Sequence, residues 1–119
     1  MSKNNNVVSK KYSSAAEPPA DLFVAAIFDD VALMEKALSQ GKSINSIHPK
    51  TQKTPAHLAA SWGSLQFIIR AAQLPDFDPT IFDDNGHTAY SYAALRKDTE
   101  IKGILGPLMD RVQVLPELD

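Results

Sequence analysis

Hydrophobic residues along this chain are gathered into short blocks that recur at a fixed interval. Each block contains a pair of alanines, and the pairs Ala25-Ala26, Ala59-Ala60 and Ala93-Ala94 are 34 residues apart. Self-similarity at such an interval is typical of a repeat array in which each unit is one supersecondary element. Three units fit between residues 20 and 110, and about three is the smallest number that buries a continuous core.

Each unit is predicted to contain two short helices and a loop. In the second unit, Thr54 is expected to cap a helix that has Pro55 at its first position and ends at Gly63. The following helix carries an apolar stripe at helical spacing, made of Leu65, Ile68, Ile69 and Ala72. The equivalent segments are LFVAAIF and VALMEKALSQ in the first unit, and YSYAALR and TEIKGIL in the third. Gly106-Pro107 is expected to interrupt the last helix.

The alanine pairs indicate how the units would pack. Two successive small side chains let the first helix of a unit lie close to neighbouring helices on both sides. A bulky residue there would cost about 1–3 kcal/mol through overpacking. The second helix of the third unit is polar on one side, at Thr99, Glu100 and Lys102, which is typical of a terminal capping repeat. The pattern therefore predicts an all-α protein.

Composition limits the other possibilities. The chain has 119 residues, of which 44% are hydrophobic and 22% charged, so we expect one globular domain with tails. A net charge of −2 argues against a protein that neutralises nucleic-acid phosphates. The absence of cysteine excludes disulfides and thiolate metal sites. No apolar run approaches a membrane span and the start of the chain is polar, so we expect a cytoplasmic protein.

The second unit carries a motif that resembles a known family. Residues 54–60, TPAHLAA, followed by Gly63, are similar to the TPLHLAA-x-x-G signature of ankyrin repeats, with Ala56 the single departure in the first seven. The segment GKSIN from Gly41 is similar to the family's GADVN segment, and DDNGHT from Asp83 contains its D-x-x-G-x-T pattern. The first unit resembles an N-terminal cap that has lost the TP and His elements.

The resemblance implies an ankyrin-repeat solenoid of three stacked helix-loop-helix units with short hairpin-like fingers. The domain would span residues 20–110, with units at about 20–53, 54–87 and 88–110. Residues 1–19 would form a disordered N-terminal tail, and residues 111–119 a C-terminal tail. The loop before the second unit, SIHPKTQK, departs from the family because it has one extra residue and no glycine at its turn.

The resemblance also implies a module that binds another protein through its concave face, with no nucleic acid, membrane or small-molecule substrate as partner. Stacking leaves free the finger tips and the two positions after each alanine pair. The predicted partner-binding residues at these places are Ile27, Phe28, Ile47, His48, Lys53, Ser61, Trp62, Phe82, Asp84, Asn85, His87, Leu95 and Arg96. We expect a monomer rather than a homo-oligomer.

The bulky side chains in this set point to an interface. Exposed apolar area usually marks an interaction site, and Trp and Arg are frequent energetic anchors. We therefore expect a partner groove centred on Trp62 and flanked by Phe28, Phe82 and Arg96. The alternative is that Trp62 and Phe28 fold back onto neighbouring fingers and fill gaps there.

The remaining polar residues do not form a recognisable catalytic or metal motif. His57 lies inside the signature, where its ring is expected to tie neighbouring loops by hydrogen bonds. His48 and His87 lie on different fingers, and a zinc site would need two further ligands. The aspartates at 76, 78, 83 and 84 do not match a calcium loop. We therefore expect no enzyme, no cofactor and no metal.

Three other functions are open at this stage. The array could act as an inhibitor, antitoxin or immunity-type regulator that caps a partner enzyme. It could be a pathogen effector that is exported into a host cell. It could also be a self-associating structural protein. Nothing in the sequence separates a general adaptor from these alternatives.

Overall fold

The computed structural model describes residues 19–114, and the side chains of residues 19–109. This part of the chain forms six α-helices and no strand: α1 (Leu22–Phe28), α2 (Val31–Ser39), α3 (Pro55–Trp62), α4 (Leu65–Ala72), α5 (Ala89–Arg96) and α6 (Thr99–Val114). The all-α prediction is confirmed for these residues. The predicted tails, apart from their inner residues, lie outside the described range.

Capping residues explain where the helices begin. At α3, Thr54 Oγ1 accepts from the His57 backbone N–H, and His57 Nδ1 accepts from the Thr54 N–H at 2.9 Å. At α5, Thr88 and Ser91 make the same reciprocal pair. Each pair satisfies backbone donors that have no partner inside the first turn of a helix.

The helices pack in two rows. In the first row α3 lies between α1 and α5, and in the second row α4 lies between α2 and α6. Within each hairpin the two helices also touch, as α1 on α2, α3 on α4 and α5 on α6. Isolated helices of seven to nine residues are only marginally stable in water. These helices are therefore stabilised by the packing of their apolar faces against one another.

Small residues fill the contacts along the first row. Ala25, Ala26, Ala59, Ala60 and Ala93 are fully buried. Ala94, which is equivalent to Ala60, is instead exposed. Among the described helices, the main packing partners of α5 are α3 and α6, so the close approach of first-row helices is seen on one side of α5.

The second row contributes the larger core residues. The buried face of α4 consists of Phe67, Ile68 and Ala71. Of the predicted stripe, Ile68 is fully buried, Leu65 is partly buried against the core, and Ile69 and Ala72 are half-buried. The helix α4 packs against α2, α3 and α6.

One side chain of the first hairpin caps a helix of the second. Asp29 follows α1, and its carboxylate accepts from the Phe67 N–H at 2.7 Å and from the Gln66 N–H at 3.3 Å. Ser64, at the start of α4, makes no capping bond of its own and donates its hydroxyl to the Ala26 carbonyl. The start of α4 is therefore stabilised by the preceding hairpin.

The expected end of the last helix at Gly106-Pro107 is wrong, because α6 continues to Val114 with Pro107 inside it. A residue before proline normally avoids the helical conformation, because its Cβ and N–H clash with the proline ring. Gly106 has no Cβ, which relieves part of this clash. The helix therefore runs past residue 110, where the domain was expected to end.

Two loops project from the helical rows, and we call residues 46–53 the first finger and residues 81–87 the second finger. In the first finger the His48 N–H donates to the Lys53 carbonyl at 2.8 Å, and in the second the Asp83 N–H donates to the His87 carbonyl at 2.9 Å. The fingers are also joined, since the Asp84 N–H donates to the Thr51 carbonyl at 3.1 Å. Over the described residues, no helix combines the length and apolar character that crossing a bilayer requires.

Candidate functional site

The first-row helices present large side chains to solvent at their C-terminal ends. Phe28 closes α1 and is 73% exposed, Trp62 closes α3 and is 61% exposed, and Leu95 near the end of α5 is 69% exposed. Arg96, the last residue of α5, is also exposed. We call these four residues the helix-end row.

Helix termination explains why these side chains remain uncovered. Each helix is followed by a residue in the left-handed conformation: Asp29 at φ 55°, Gly63 at φ 73° and Lys97 at φ 61°. Such a residue turns the chain away and ends the helix.

Arg96 lies against the end of the neighbouring helix. A Cβ atom placed on Gly63 would lie 2.5 Å from Nη2 of Arg96, so the guanidinium contacts the backbone there. The C-terminus of a helix carries partial negative charge, which favours a nearby cation. This contact brings Arg96 next to the position that follows Trp62.

A groove of about 360 Å³ lies between α1, α3 and the first finger. Its helical side is apolar and its finger side is polar. The lining residues are Asp21, Phe23, Ile27, His48, Thr51, Lys53 and Leu58. The rings of Phe23 and His48 meet edge to face with centroids 5.8 Å apart, which ties the finger to α1.

Four residues that line this groove were not predicted from the sequence: Asp21, Phe23, Thr51 and Leu58. Phe23 precedes Ile27 by four residues and so lies on the same face of α1. This spacing could have placed Phe23 beside Ile27 in the predicted surface. The contribution of Thr51 depends on the fold of the finger, for which the sequence offered no local signal.

A buried carboxylate joins the two fingers to α5. Oδ2 of Asp83 accepts from Nζ of Lys53 at 3.1 Å and from the Tyr92 hydroxyl, while Oδ1 accepts from the His87 and Asn85 N–H groups at 2.9 and 3.0 Å. Burial raises the pKa of this carboxyl, but the hydrogen bonds outweigh that effect and hold the pKa well below its ordinary value. Asp83 is therefore a stably ionised anchor.

His57 ties the second finger to α3. Its Nδ1 accepts from the Thr54 N–H, so the neutral ring carries its proton on Nε2 and donates to the His87 carbonyl at 2.9 Å. Burial of the ring lowers the pKa of His57, and the bond to His87 only partly offsets this. These hydrogen bonds provide the loop-tying role expected for this residue.

The structure separates the predicted partner-binding residues into two groups. The exposed group is Phe28, Ile47, Trp62, Phe82, Asp84, Asn85, Leu95 and Arg96. The half-buried group is Ile27, His48, Lys53, Ser61 and His87. Lys53 is held by Asp83, and the ring of His87 packs on Tyr92 with centroids 5.2 Å apart. The side chains of Lys53 and His87 are therefore engaged in contacts that hold the fingers in place.

Among the described residues, no group of three or more His, Cys, Asp or Glu side chains is placed to hold a metal ion. His48 and His87 each pack against an aromatic ring, of Phe23 and Tyr92 respectively.

No protein-family model matches the chain, and no curated protein matches it in sequence. Its function is therefore inferred from the residues and contacts described above.

Proposed function

We propose that this chain is a small ankyrin-repeat module that binds another protein through the helix-end row and the fingers, and that it has no enzymatic activity. The two rows of helices, the Thr54 and Thr88 capping pairs and the finger after each of the first two hairpins support the repeat assignment. In this arrangement the first row and the fingers would together form one concave binding face.

The observation that carries the proposal is the exposure of large apolar side chains on this part of the molecule. Besides Phe28, Trp62 and Leu95, the finger residues Phe82 and Ile47 are 64% and 50% exposed. Of the six large hydrophobic side chains that are exposed in the described range, these five lie on the helix-end row or the fingers, and Val24 is the other. Exposed apolar groups collected on one part of a protein usually mark an interaction site.

The fingers are built to hold a fixed shape. Asp83, Lys53 and Tyr92 connect both fingers to α5, and His57 connects the second finger to α3. A surface that is already ordered loses less conformational freedom on binding. This rigidity supports recognition by a preformed face.

The proposal is tested by affinity purification with the full chain, a Trp62→Ala/Phe82→Ala variant and a Gln66→Ala/Gln73→Ala control. The control residues are exposed in or directly after α4, away from the helix-end row. A partner recovered with the wild type is then purified and titrated against all three proteins. We expect the aromatic variant to weaken binding by about 2 kcal/mol or more and the control to bind like the wild type. Equal binding by all three proteins, with circular dichroism showing each folded, would reject the proposed face.

A further inference from the structure

We draw no further inference here: the strongest candidate, the groove of about 360 Å³ between α1, α3 and the first finger, has an apolar helical side, and nothing in the structure shows what covers it.

Discussion

Nζ of Lys53 donates a hydrogen bond to Oδ2 of Asp83 at 3.1 Å and so joins the first finger to the second. The two residues are 30 positions apart in the chain. The side chain of Asp83 is fully buried and that of Lys53 is 20% exposed, which shields their interaction from solvent. The fingers are therefore expected to move together rather than as independent loops.

Asp83→Asn is expected to lower the free energy of unfolding by about 2–3 kcal/mol. The change keeps the shape of the side chain but removes the charge from bonds that Lys53 and Tyr92 donate, and charge-assisted hydrogen bonds are worth about 1.5–3 kcal/mol. Urea denaturation at neutral pH measures the effect. Asp84→Asn is the control, because this neighbouring side chain is exposed, and its effect should stay within about 0.5 kcal/mol. Equal effects of the two changes would show that Asp83 does not anchor the fingers.

The protein is expected to lose stability as the pH falls below 6.5, the ordinary pKa of a histidine. Burial lowers the pKa of His57 in the folded state. The unfolded chain therefore binds a proton that the folded chain resists, and stability falls with pH until the folded-state pKa is reached. Above pH 6.5 this contribution is fully present.

Urea denaturation between pH 5.5 and 8 measures this dependence in the wild type and in His57→Gln. The variant lacks the titrating ring, so its stability should vary less with pH over this interval. An NMR titration of the His57 ring should show a midpoint below 6.5. A midpoint above that value would contradict the buried neutral ring.

Gly63→Ala and Gly103→Ala are expected to have opposite effects on stability. Gly63 has φ 73° and its absent Cβ would meet the Arg96 guanidinium, so alanine there should cost about 1–2 kcal/mol. Gly103 lies inside α6 with open space where a Cβ would be, so alanine there should add about 1 kcal/mol. Thermal unfolding followed by circular dichroism distinguishes the two. A neutral Gly63→Ala would contradict the left-handed cap.

Trp62→Ala is expected to leave the free energy of unfolding within about 0.5 kcal/mol of the wild type, because the indole is mostly exposed. Phe67→Ala, which empties a fully buried position, should cost about 3–5 kcal/mol. Trp62 is the single tryptophan of the chain, so acrylamide quenching of its fluorescence reports its exposure directly. A shielded indole, or a cost like that of Phe67→Ala, would place Trp62 in the core.

Much of the helical framework could be predicted from the sequence because its signals are local. Thr54 and Thr88 as N-caps, and Gly63 as a left-handed terminator, define helix ends within a few residues. The prediction that the last helix is interrupted at Gly106-Pro107 was wrong. Whether a proline interrupts a helix depends partly on the residue before it, and Gly106 has no Cβ to clash with the proline ring.

The helix-end row was accessible to the same reasoning, since Phe28, Trp62 and Arg96 follow from the repeat interval. The hydrogen bonds that Asp83 accepts from Lys53 and Tyr92 could not be predicted in this way. The first bond depends on a lysine of one finger reaching a carboxylate of the next finger, and the position of Lys53 directly before Thr54 does not show where its side chain goes. Contacts between residues about 30 positions apart leave no local pattern in the sequence.

The carboxylate of Asp29 accepts from the Phe67 and Gln66 N–H groups, so part of the capping of the second hairpin is supplied by the first. A fragment that starts after residue 45 would retain every residue of α4 but lack the acceptor for its first turn. A second hairpin excised at a boundary drawn by sequence periodicity is for this reason expected to be less stable than one that keeps Asp29.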